Sequence, residues 1–431
     1  MAKPAPAVPS NAEPIAALDD PSVLEPVQRR AVFFIGGYDP KSPEAFFDRL
    51  NRETGRFETL WDTLSDPEPP SRVSAHITCQ TSHTTDEHGR WATQTDFHFV
   101  CLDTIVKKDF AQPLGTRVLR YLRTFFDYVL TGTAFSFARH AVRFFGYFLY
   151  PFVMMLLGLS VSLFFAGLIA NSGVVLAWLT APIIFVASMA SFVQLVAKRN
   201  FVFHLADLWS FSADYVHQRR TDIEDVLDDL AETVAMRQDD YDEIIIVGHS
   251  TGGALILDAA ARALEQEPGL TRIPNRFWIM TVGSTALKVG LHPKAGWYRQ
   301  KLDRAFSTAN LRWIEAQCPT DVINFPGTNP AALMGLSQTD APFFQIIRVR
   351  MSKMLDLKTY RRVRKNFFRL HYQFVYGNTR PYLYDFPAIC FGPAKLALRA
   401  KDKHTLSAAL HPKFPPAIGT AKNGTSTDTN P

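Results

Sequence analysis

The residues in this 431-residue sequence most able to do chemistry are Gly248-His249-Ser250-Thr251-Gly252. The spacing is G-x-S-x-G. Its glycines allow a sharp backbone turn that lifts the serine clear of its neighbours. Ser250 is the candidate nucleophile, and the backbone N–H of Thr251 is placed to meet a developing oxyanion. A serine hydroxyl is a poor nucleophile alone. It needs a base within hydrogen-bond reach and a carboxylate that fixes the tautomer of the base. Four histidines follow Ser250: His292, His371, His404 and His411. His249 adjoins the serine, is expected to point elsewhere and is read as packing.

The elements that must position the serine are legible on both sides of it. Ile244 to Val247 is a short β-branched run, the pattern of a strand covered on both faces. Ala254 to Ala260 reads as helix, so the serine lies on a strand–turn–helix elbow. Thr221-Asp222-Ile223-Glu224 is a capping-box pattern that opens a preceding helix. Ile223, Val226, Leu227, Leu230 and Val234 share one face of that helix. Further buried strands are predicted at Ala31–Ile35, Phe277–Ser284 and Leu311–Ala316. Strands are also predicted at Ser71–Cys79 and Thr95–Leu102. Pro43–Leu50 and Trp297–Phe306 read as helices.

With strand, elbow and helix in this order, the chain resembles the α/β-hydrolase superfamily on its lipase-like side. The resemblance implies an α/β fold, a mostly parallel sheet flanked by helices. It also implies that a loop after an early strand supplies a second oxyanion donor. Gly36-Gly37-Tyr38 follows the first strand, and Gly37 and Tyr38 are the candidates. In that superfamily the acid and then the histidine follow the serine. Asp321, just after the strand Leu311–Ala316, is the implied acid, and His371 is the implied base. Asp340, Asp356 and Asp385 are rivals for the acid. Asp258 and Asp303 fall on predicted helices. His292 precedes the acid, and His404 and His411 lie in a polar tail. The implied activity is cleavage of an ester by a Ser-His-Asp triad. Thioester, amide and acyl-transfer chemistry would use the same atoms, and an inactive membrane scaffold with this fold is the reading of another class.

The sheet is interrupted. Tyr147–Ala170 and Val174–Ala197 contain no charged residue, and each is long enough to cross a bilayer as a helix (roughly 20 residues). Asn171-Ser172-Gly173 joins them. A transmembrane hairpin is predicted, over about 147–170 and 174–197. Arg117, Arg120, Arg123, Arg139 and Arg143 precede it among aromatic and aliphatic residues, as helices on a membrane surface would. Lys198 and Arg199 follow it. The positive-inside rule places these flanks, the catalytic body and both termini in the cytoplasm. An integral protein of a bacterial inner membrane is expected. A transporter is disfavoured, because the spans offer no ionisable residue.

These features divide the chain into a Pro/Ala-rich disordered arm (1–27), a first part of the hydrolase domain (28–112), a membrane insert (113–200), a second part (201–400) and a polar disordered tail (401–431). The net charge of +5 is modest and its basic residues lie beside apolar segments. That favours a lipid bilayer and a lipid or other small apolar ester as partners, with no nucleic acid. His76, His83, His88 and His98 lack ligand spacing, and Cys79, Cys101, Cys318 and Cys390 form no CxxC pair. No metal and no cofactor is expected. The oligomeric state is left open.

Overall fold

A computed structural model of the chain describes residues 25–173, 176–308, 310–337 and 344–401. Its strands are β1 (Arg29–Ile35), β2 (Thr63–Pro67), β3 (Ser71–Arg72), β4 (Ile77–Asp86), β5 (Ala92–Val100), β6 (Glu243–His249), β7 (Phe277–Val282), β8 (Arg312–Gln317) and β9 (Phe344–Arg348). They form one sheet in the order β2-β4-β5-β1-β6-β7-β8-β9, with β3 paired to β4. From β5 to β9 all neighbours are parallel, and β2, β3 and β4 add an antiparallel edge. The α/β sheet implied by the resemblance is therefore present.

Alternation explains why the central runs are so apolar. Ala31, Phe33, Ile244, Ile246 and Ile279 enter a hydrophobic core on one face of the sheet. Val32, Phe34, Ile245, Val247 and Met280 enter a second core on the other. A strand buried on both faces cannot afford a polar side. The strands missed from sequence are β2 and β9. Both are edge strands with part-exposed residues, so neither shows a clean pattern. The hairpin of β4 and β5 also extends beyond its expected limits, through Asp86 and back from Ala92.

The helices that frame the site are α1 (Pro43–Trp61), α2 (Asp103–Phe110), α3 (Leu114–Leu130), α4 (Thr133–His140), α5 (Val142–Ala170), α6 (Ala177–Phe192), α7 (Val202–Val216), α8 (Thr221–Met236), α9 (Gly252–Gln266), α10 (Leu287–Gly290) and α11 (Gly296–Phe306). Ser42 caps α1, its hydroxyl accepting from the Ala45 N–H. A π-helical turn, Val193–Ala197, continues α6.

Helix α5, and α6 together with its π-helical continuation to Ala197, are long and apolar enough to cross a membrane, with mean hydropathies of 2.4 and 1.9 in their most apolar stretches. They pair as an antiparallel hairpin. Phe192 lies against Gly158, and the Ser188 hydroxyl donates to Ser162 at 2.7 Å. Small residues at this seam let the two backbones approach. The base of α5 belongs to the hydrolase core, where Phe144 and Phe148 pack on Trp209 of α7.

Helices α3 and α4, expected from the sequence to lie on a membrane surface, also pack on the core of the protein. Tyr128 and Phe137 are fully buried against the same Trp209. Arg117 is ion-paired with Asp207, and Arg120 with Asp109 and Asp214. Leu119, Leu122, Phe126, Leu130 and Phe135 remain exposed. One face of this pair is core and the other is an apolar surface.

The predicted arm and tail lie almost wholly outside the described residues. Within them, Val27 is buried and its N–H donates to the Pro393 carbonyl at 2.8 Å. The cysteines are free thiols.

Candidate active site

Two loops meet at the carboxyl ends of the central strands. Strand β6 ends in the turn that carries Ser250, whose φ is 58°. This is left-handed backbone, costly for a residue with a side chain and held only when its surroundings leave no alternative. The flanking glycines supply that constraint. A side chain at Gly248 would strike the Gly252 carbonyl, with its first carbon 2.5 Å away. One at Gly252 would collide with the backbone of Ile35 and Gly36 in the loop after β1. Helix α9 can therefore start directly under that loop. The Val282 carbonyl accepts the Ser250 N–H at 3.2 Å, and the Ser250 carbonyl accepts from Thr285 at 3.0 Å.

The first loop borders the serine. A methyl group built on Gly37 would lie 3.4 Å from Ser250 Cβ and 3.7 Å from its Oγ. The backbone N–H groups of Gly37, Tyr38 and Thr251 have no acceptor among the described residues. Tyr38 turns its ring away, and its hydroxyl donates to Asp109 at 2.7 Å. Burial first, and then the Asp109 charge, push the Tyr38 phenol far above its ordinary range, so this group stays protonated.

Asp321 and His371 are brought together from elements 50 positions apart. His371 Nδ1 lies 2.7 Å from Asp321 Oδ2. Asp321, fully buried, also accepts from Asn324 Nδ2 on Oδ2 (3.1 Å) and from the Ile323 N–H on Oδ1 (3.0 Å). A carboxylate held by these two further donors orients the imidazole with Nδ1–H toward it and leaves the lone pair on Nε2. Nε2 is buried and has no partner among the described residues. The His371 ring packs beside Gly283, one residue beyond the strand carbonyl that holds Ser250. No Ser250–His371 hydrogen bond is formed, and such bonds commonly tighten only when substrate arrives. His371 lies on the short helix Phe367–Tyr372, not on a loop.

The other sequence candidates are engaged elsewhere. Asp258 binds Tyr215, Arg262 and Lys301. Asp303 receives the Ser337 N–H, Asp356 caps the helix Leu357–Val363, and Asp385 accepts from Trp61. His292 Nε2 is 3.3 Å from Asp127, while its Nδ1 accepts the Lys294 N–H. Asp127, His217 and His292 could surround a metal ion by distance. The Lys294 bond, however, leaves the proton on His292 Nε2, the atom a metal would need. Asp340, His404 and His411 lie outside the described residues. Among the four histidines grouped in sequence, His98 is buried against Phe33 and burial lowers its pKa to about 4. His83 and His88 are exposed.

Two residues beside the site carried no usable sequence signal. His249 does pack, but it packs on His371: their ring centroids are 4.6 Å apart. Burial, and then the charge of His371, hold His249 neutral. Lys288 is a buried amine whose Nζ donates to Thr251 Oγ1 at 2.8 Å. Burial drives its pKa far down. It steadies the residue that follows the serine. Only the path of the chain through α10 brings it there.

A sequence model described as the alpha/beta hydrolase family matches residues 167–399, just over half of the chain. No curated protein and no solved structure matches. The match includes the elbow, Asp321 and His371, and the sheet supplies the remaining strands around them. The chain belongs to the alpha/beta hydrolase family.

Proposed function

We propose that this protein is a membrane-anchored serine hydrolase that cleaves an ester of a lipid or another apolar acyl compound. The observation that carries the reading is the strained Ser250 on its elbow, bordered by the Gly37 loop, with His371 held by Asp321 beside the same strand ends. His371 Nε2 takes the Ser250 proton as Oγ bonds to the substrate carbonyl carbon. The carbonyl oxygen becomes an oxyanion, stabilised by the N–H of Thr251 and that of Gly37 or Tyr38. Collapse breaks the bond to the leaving alcohol, which receives the proton from His371. A water then gives its proton to His371 and its oxygen to the acyl carbon, releasing the acid and restoring the serine.

Membrane anchoring is supported by the outward character of α5 and α6. Only 11% and 6% of their most apolar stretches are buried within the protein. A core helix of a soluble protein would bury far more, and water is a costly neighbour for so much apolar surface. Arg139 and Arg143 on one side, and Lys198 and Arg199 on the other, favour a cytoplasmic catalytic body.

The test is covalent labelling by a fluorophosphonate probe, which bonds to activated serines. Wild type is expected to label at Ser250, and Ser250→Ala to lose the label while unfolding at an unchanged temperature. Undiminished labelling of a folded Ser250→Ala protein overturns the assignment.

A further inference from the structure

A narrow cleft lies along the Gly36-Gly37 loop that borders the serine, and its lining is not that of a plain acyl pocket. Gly37, His249 and Tyr372 form part of its wall, which places it against both the oxyanion loop and the helix that carries His371. Two cations, Lys41 and Arg49, also line it, and Asp39 is the sole acid among the lining residues. Asp39 is already engaged: its Oδ2 accepts the Tyr372 hydroxyl at 2.8 Å and lies 3.4 Å from Lys41 Nζ.

Arg49 is held without an anion. Its guanidinium carbon lies 5.1 Å from the Phe46 ring centroid, 5.8 Å from that of Tyr372 and 5.6 Å from that of Tyr376. Aromatic faces of this kind fix a guanidinium while leaving the donors at its edge free. Arg49 makes no hydrogen bond or ion pair with the described residues, and its Nη1 is shielded from solvent and unpartnered. A shielded donor with no acceptor is unfavourable, so its persistence points to a partner that arrives from outside. The two cations also feel each other. Burial, then the charge of Arg49, lowers the Lys41 pKa. An arriving anion would relieve that repulsion.

We propose that this cleft is a subsite for an anionic group, a phosphate or a carboxylate, carried by the ester substrate, with Arg49 as its anchor and Lys41 as its second contact. The planar fork of arginine matches either group. The substrate class becomes an amphiphilic ester with a negatively charged head, in preference to a neutral glyceride. The assignment of the anion to the substrate rests on Ser250 being the nucleophile.

Binding is measured on full-length Ser250→Ala protein in detergent micelles, where no probe is turned over. Three probes share one oleoyl chain: 1-oleoylglycerol, its 3-phosphate and its 3-hemisuccinate. At least one anionic probe is expected to bind about ten-fold more tightly than the neutral one, the effect of one charge-assisted contact. Arg49→Gln in the same background is expected to erase that advantage, and the preferred probe identifies phosphate or carboxylate. An unchanged melting temperature of Arg49→Gln in the same background reports its folding, and Lys41→Gln repeats the test independently. Equal binding of all three probes, or an advantage that survives both substitutions, overturns the subsite. Inorganic phosphate bound as tightly as the phosphorylated probe overturns the substrate assignment. A wild type that fails to label would strike the serine-hydrolase reading and leave the binding result standing.

Discussion

At the scale of single residues, burial decides which ionisable groups are poised and which are merely tolerated. Glu315 of β8 shows the second case. It is buried in the sheet beside Gln317 Nε2 (2.9 Å) and Thr281 Oγ1 (3.0 Å), with no cation paired to it among the described residues. Burial raises its pKa to about 7, against relief from those two hydrogen bonds. The unfolded chain loses this proton near the ordinary glutamate value of 4.5, while the folded chain keeps it until about 7. Between these values the unfolded state binds fewer protons, so stability falls as pH rises. The loss is complete above about pH 7 and amounts to roughly 3 kcal/mol at most. Glutamine has the same shape, and its amide can serve both neighbours. Glu315→Gln is expected to leave the melting temperature nearly unchanged at pH 5 and to raise it by several degrees at pH 8. Equal shifts at the two values would contradict the buried, proton-retaining Glu315.

At the scale of elements, the site is the contact between the β1 loop and the start of α9. Gly252 makes that contact possible, since a side chain there would enter the backbone of Ile35 and Gly36. Backbone cannot move aside as a flexible side chain can. Gly252→Ala is expected to cost about 1–3 kcal/mol and to displace the elbow, with loss of serine labelling. Gly37→Ala is the control. Its new methyl group would sit 3.4 Å from Ser250 Cβ, an ordinary contact, so its melting temperature should match wild type. A Gly252→Ala protein with full labelling and full stability would show that the loop does not seat on α9. Element scale also marks what sequence could foresee. The central strands are apolar on both faces and announce themselves, whereas β2 and β9 lie at the edges and carry mixed residues. Arg30 shows the reverse failure. Its sequence position reads as the flank of a strand, yet it is fully buried within β1. There it pairs with Glu243 at 2.7 Å and donates to the carbonyls of Cys390, Gly392 and Ala394. No local pattern distinguishes such an arginine from an exposed one.

At the scale of the molecule, the hairpin and the hydrolase body are separable by register. The Tyr150 hydroxyl reaches the Asn200 carbonyl, Gly158 meets Phe192 and Ser162 meets Ser188. These pairs place residue 155 opposite residue 195, above the part of α5 that packs on Trp209. Replacing residues 156–194 by a short Gly/Ser linker should therefore leave the core intact. The full chain is expected to resist alkaline extraction from membranes, and the shortened chain to be released by it while Ser250 still labels. Extraction of the full chain under the same conditions would argue against spanning helices.

The sequence alone determined what depends on local order. A strand–turn–helix elbow needs its glycines adjacent to the serine, and an apolar helix pair needs only length and composition, so both are written in contiguous residues. Tertiary structure decided everything that depends on distant segments meeting. Asp321 and His371 are separated by 50 positions, and only the folded chain brings Oδ2 within 2.7 Å of Nδ1. It also placed His249 on the His371 ring, Lys288 under Thr251, and Arg49 among three aromatic faces with no hydrogen-bond partner among the described residues. The physical reason is the same throughout. Periodicity records which side of an element is buried, but not which neighbour it is buried against. The charge, hydrogen bonding and pKa of a site residue are properties of that neighbour.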